Sequence, residues 1–138
     1  PRIVPGADQR LLWLWVTIEY LFLFLFIWYN RNRKEILVLG IGILLNFAVI
    51  MANQGSMPIS QDILKIPSLA EKFQSIVSGG LSEYHLMTES TILWFLGDIF
   101  YVPILDPGFM SIGDIIIAIG VFLLIQTAML SYRKKEEV

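Results

Sequence analysis

The sequence predicts an all-α integral membrane protein with three transmembrane helices and short amphipathic or interfacial helices in a long outer loop. Three observations carry that expectation. Apolar blocks at about 11–29, 36–52 and 115–131 each approach the length that crosses a bilayer, because ~30 Å of hydrocarbon needs about 20 helical residues. The first block holds one charge, Glu19, and has no polar face at helical spacing, unlike an amphipathic soluble helix. Finally, 56% hydrophobic residues and a mean hydropathy of +0.67 in 138 residues are too apolar for a soluble domain of this size. We read residues 1–138 as a single membrane domain.

Charge orients the spans. The loop Asn30–Glu35 carries Arg31, Arg33 and Lys34, and the tail opens with Arg133, Lys134 and Lys135. The stretch Asn53–Asp114 holds Lys65 and Lys72 against Asp62, Glu71, Glu83, Glu89, Asp98, Asp106 and Asp114. Basic loops stay cytoplasmic, which predicts a multi-pass membrane protein with its N-terminus outside and C-terminus inside. Trp13, Trp15, Trp28, Tyr29 and Tyr132 fall at span ends, where amphipathic rings favour the headgroup level. The first residue is Pro1, and we expect a trimmed chain with a further upstream helix as one alternative.

The second span should end in a sharp turn. Asn53 can satisfy the last helix carbonyls, Gly55 permits a left-handed conformation, and Pro58 prevents a return to helix. Ser60 can cap a short helix from Gln61. Ser68-Leu69-Ala70-Glu71 has the form of a capping box, predicting a helix to about Ser78 that stops at Gly79-Gly80. Its apolar face would carry Leu69, Phe73, Ile76 and Val77. Another short helix is expected after Thr88, carrying Ile92–Leu96, with interfacial packing favoured over membrane re-entry. Pro103, Pro107 and Gly108 break the chain before the last span, which Asp114 could cap. Asp98 has the same structural capping expectation. Gly40 and Gly42 permit close helix approach, without a G-x-x-x-G pattern.

Candidate polar contacts within the membrane are Glu19, Asn46 and Gln126. Glu19 and Asn46 each lie ten residues from the inner end of their span, about 15 Å, near the midplane. A protonated Glu19 could hydrogen-bond Asn46 as a helix clamp; the sharper alternative is a proton or ligand site. His85 is a weak cofactor-binding candidate, because a lone histidine is more commonly an ordinary hydrogen-bonding residue. The absence of cysteine excludes disulfides and thiolate chemistry. No metal site, catalytic residue or nucleic-acid-binding surface is predicted, and any cofactor is unknown.

The segments Asn53–Ser60, Tyr84-His85, Trp94–Ile99 and Ser111–Asp114 together resemble a family of small bacterial membrane proteins catalogued only as a domain of unknown function. The resemblance runs from about Asn46 to the third span, with weaker hydrophobic similarity before it. This chain has Gln54 where the family pattern has glycine. The resemblance implies a bacterial membrane protein, often with more hydrophobic sequence at the N-terminus, and it implies no activity. Small size, few polar groups in the spans and a long outer segment able to cover a partner lead us to expect a non-catalytic structural or accessory subunit that contacts the lipid bilayer and other membrane protein subunits. The alternatives are a small transporter or enzyme component using Glu19, or a membrane sensor or regulator.

Overall fold

Three long helices, α1 (Gln9–Tyr29), α2 (Lys34–Ala52) and α4 (Ile112–Glu136), dominate the computed structural model, which describes residues 9–77, 83–103 and 107–136. All three are long and apolar enough to cross a membrane, as their uninterrupted apolar runs require. Between α2 and α4 lie α3 (Pro67–Val77) and four three-residue strands: β1 (Met57–Ile59), β2 (Tyr84–Leu86), β3 (Phe100–Val102) and β4 (Gly108–Met110). The all-α expectation is corrected there. Its helical signals, capping residues and apolar clusters, did not reveal segments that satisfy their backbone groups by short-range pairing.

Helix α2 is central, packing against both α1 and α4. Its contact with α4 is close because glycines remove side chains from the interface. A Cβ at Gly42 would lie 2.5 Å from the Gly113 carbonyl oxygen, and one at Gly120 would lie 2.7 Å from the Leu39 nitrogen. On its other side, α2 meets aromatic residues of α1. The Phe47 ring lies 5.0 Å from Tyr20 and 5.3 Å, edge-on, from Phe24. The basic connection between α1 and α2 is also ordered. Arg31 lies over the Trp28 ring at 4.4 Å, and Arg33 pairs with Glu35 at 2.8 Å.

The chain leaves α2 through two left-handed residues, Gln54 at φ 60° and Gly55 at φ 84°. The Gly55 N–H donates to the Ile50 carbonyl at 2.9 Å, and a Cβ on Gly55 would lie 3.2 Å from the Trp13 Cα. Asn53 fastens the exit. Its amide donates to the Val49 and Ile92 carbonyls at 2.8 Å each, and its side-chain oxygen accepts from the Ile92 N–H at 3.2 Å.

Strand β1 pairs in parallel with β2 and forms a parallel bridge to Asp98 on its opposite edge. Pro58 lies in the middle of β1. Its carbonyl accepts from the Asp98 N–H at 2.9 Å, and Met57 and Ile59 make the bonds across to the β2 segment, so the proline's missing donor costs that ladder nothing. β3 and β4 form a separate antiparallel pair. Below β1, Ile59, Ile63, Leu69 and Phe73 form a buried cluster supported by Ile66, Tyr84, Leu86 and Phe109.

Local helix starts refine the sequence expectation. Ser60 accepts from the Asp62 N–H at 3.2 Å, capping the 3-10 segment Gln61–Lys65. In α3, however, the Ile66 carbonyl accepts the first helical bonds from Leu69 and Ala70, and Pro67 is the first helical residue. Ser68 is therefore inside the first turn. Proline suits that position because its missing N–H would have no helical acceptor. The side chains of Ile76 and Val77, and the stop at Gly79-Gly80, lie outside the described residues. The expected helix around Ile92–Leu96 is a single 3-10 turn, Trp94–Leu96, entered through left-handed Leu93 at φ 54°.

Candidate functional site

The first turn of α4 meets α2 in a closed hydrogen-bond circuit. Ser111 is the N-cap, and its hydroxyl accepts from the Asp114 N–H at 2.9 Å. Asp114 returns the interaction by accepting from the Ser111 N–H at 3.0 Å, giving a capping-box arrangement with aspartate. Asn46 closes the circuit. Its amide donates to Asp114 Oδ1 at 2.7 Å, and its Oδ1 accepts from the Ser111 hydroxyl at 2.8 Å. Asn46 is 7% exposed and Ser111 is completely buried. Each polar group thus has a partner at a depth where an unpaired one would be costly.

The sequence-derived pairing of Glu19 with Asn46 gives way here to contacts between α2 and α4. The residue of α1 that packs beside this part of α2 is Tyr20, against Phe47, whereas Glu19 is exposed. Gln126 is exposed on α4. Gly113 explains why Asn46 can enter the α4 start: a Cβ there would collide with the Asn46 side-chain oxygen.

Asp98 is the second feature of this junction, and it does not cap a helix. It is 6% exposed, its backbone is fixed by Pro58 and Ser60, and its Oδ1 has no hydrogen-bond partner. Burial pushes its pKa up to about 7, with the nearby Asp114 charge acting in the same direction. Burial also raises the Tyr84 pKa, assisted by Asp98, Glu83 and Asp114. The sequence emphasis on helix ends missed Asp98 because its isolated acid between Gly97 and Ile99 could also terminate a turn. The useful signal was a lone carboxylate embedded in the apolar segment Trp94–Val102.

Two cavities flank Tyr84. One, about 440 Å³, is bordered by Asn53, Ser56, Tyr84, His85, Thr88 and Thr91. His85 Nδ1 lies 3.0 Å from the Ser56 hydroxyl, and burial lowers the histidine pKa. The other, about 160 Å³, brings Asp98 and Tyr84 together with apolar residues including Ile63, Leu69, Phe73 and Phe109. No group of three or more potential metal-ligating His, Cys, Asp or Glu side chains occurs among the described residues. The polar junction can fix helix register, and the smaller cavity can accommodate a group that complements its buried acid.

The three apolar helices and the folded segment between the second and third fit a multi-pass membrane protein. The chain belongs to the family of unknown function DUF5317, whose model matches residues 8–126. That match includes α2, the segment between α2 and α4 and most of α4, so the Asn46–Ser111–Asp114 circuit lies within it. No curated protein or solved structure matches the chain.

Proposed function

We propose that this chain is a non-catalytic structural or accessory subunit of a bacterial membrane protein complex. In this arrangement the α1–α2 connection and C-terminal tail face the cytoplasm, and the acidic segment between α2 and α4 faces outward. The basic connection supports that orientation through the preference of short positive loops for the cytoplasm.

The observation that carries the subunit assignment is exposed Glu19 near the middle of apolar α1. A carboxylate at the centre of a membrane helix costs about 2.5–3.5 kcal/mol on insertion scales and normally faces protein or water. A neighbouring subunit would provide polar contact for Glu19 and apolar contact for exposed Trp15, Phe22 and Phe26.

Purification in a mild detergent, followed by native mass spectrometry, tests the assignment. A stoichiometric larger complex is expected, and Glu19→Leu should reduce its recovery while preserving the isolated chain's fold. A lone, folded chain that catalyses transport in liposomes would overturn the subunit assignment.

A further inference from the structure

The parallel bridge between Ile59 and Asp98 places their side chains on the same side of the paired backbone. That side holds the buried Ile59–Ile63–Leu69–Phe73 cluster. Asp98 consequently borders a cavity whose other walls are largely apolar, and its buried Oδ1 has no hydrogen-bond partner. An unpartnered carboxylate in such surroundings strongly favours a proton or a cationic donor.

We propose that this cavity binds a small primary alkylammonium ion, with its charged head against Asp98 and its hydrocarbon stem along Ile63, Leu69, Phe73 and Phe109. A cavity of about 160 Å³ has room for a short stem of a few carbons. Butylammonium has this size and combines one donor-rich charge with an apolar tail. A divalent metal would require more ligands than this lone carboxylate supplies. The Asp114 charge reinforces the negative potential at Asp98. Lys72 also borders the cavity, but it is exposed; water screens its charge more effectively than it screens buried Asp98.

The test uses the full chain in lipid nanodiscs at pH 8, with n-butylammonium as the probe and n-butanol as the uncharged control. Isothermal titration should show saturable binding of butylammonium, at least tenfold weaker binding of butanol, and at least tenfold weaker ammonium binding by Asp98→Asn. A length series on the unaltered chain supplies a measurement that does not depend on the variant folding: affinity should increase from methylammonium to butylammonium and fall for hexylammonium. Failure of butylammonium to bind would overturn the proposal. So would equal binding of butanol, unchanged binding by folded Asp98→Asn, or affinity that rises continuously through hexylammonium as in simple lipid partitioning.

Discussion

The Asn46 amide donates to Asp114 Oδ1 at 2.7 Å across the α2–α4 interface. Because Ser111 completes the circuit, the interaction joins the middle of one apolar helix to the first turn of another. Asn46→Leu should destabilise the fold by about 1–3 kcal/mol by leaving buried polar groups unpaired. Asp114→Asn should also destabilise, since an amide has one acceptor oxygen for the two donors, the Asn46 amide and the Ser111 N–H, that the carboxylate serves. Thermal unfolding of both variants in the same detergent checks these losses.

Asp98 predicts a pH dependence of the opposite sign to that of a salt-bridged aspartate. Its folded pKa is raised from 3.8 to about 7, so the folded state retains a proton that the unfolded state loses. Its contribution should reduce stability as pH rises between about 4 and 7, by roughly 4 kcal/mol for a shift of about three units. Lys72 and Tyr84 border its cavity, and Asp114 acts on it through space. Unfolding curves at pH 4 and pH 8 should show Asp98→Asn matching the parent at low pH and exceeding it at high pH. Equal pH slopes for the two proteins would contradict this assignment.

Close helix contact gives a separate prediction. Gly120→Leu should destabilise the α2–α4 interface by about 1–3 kcal/mol through overpacking, because a Cβ already approaches the Leu39 backbone at 2.7 Å. Gly40→Ala should have a smaller effect, since its nearest contact is the Ile27 side chain at 3.1 Å. Comparative unfolding in detergent distinguishes the two sites.

At the α2 exit, Gly55→Ala combines a positive φ of 84° with a close approach to the Trp13 backbone. A loss of about 1–3 kcal/mol is expected from forcing a side chain into this conformation. The same thermal assay should register the loss, whereas substitution of exposed Gln61 by alanine should have a smaller effect.

The proposed orientation makes a prediction suited to a chain without cysteine. In intact cells, Glu89→Cys should react with a membrane-impermeant maleimide, and Asn32→Cys should react only after the membrane is opened. Both parent residues are exposed. The reverse labelling pattern would invert the proposed topology.

The long apolar runs made the three helices legible because bilayer thickness imposes a simple length requirement. Asn46 also stood out as a polar residue at depth. Its actual partners were less legible: helix depth placed it level with α1, but sequence did not specify how α2 rotates toward Ser111 and Asp114. Gly42 and Gly113 supply that missing geometric information by allowing the helix backbones to approach. The brief strands and Asp98 bridge depend on contacts between distant segments, such as Ile59 with Leu86 and Asp98, so local propensity alone did not specify them.

The Asn46 circuit also makes α4 an alignment pin for the segment between α2 and α4. Sliding α4 by one helical turn would displace its cap by about 5.4 Å, withdrawing Ser111 and Asp114 from Asn46. Variation in lipid thickness would therefore have to tilt or bend the helix assembly while keeping this joint together, rather than let α4 ratchet freely past α2.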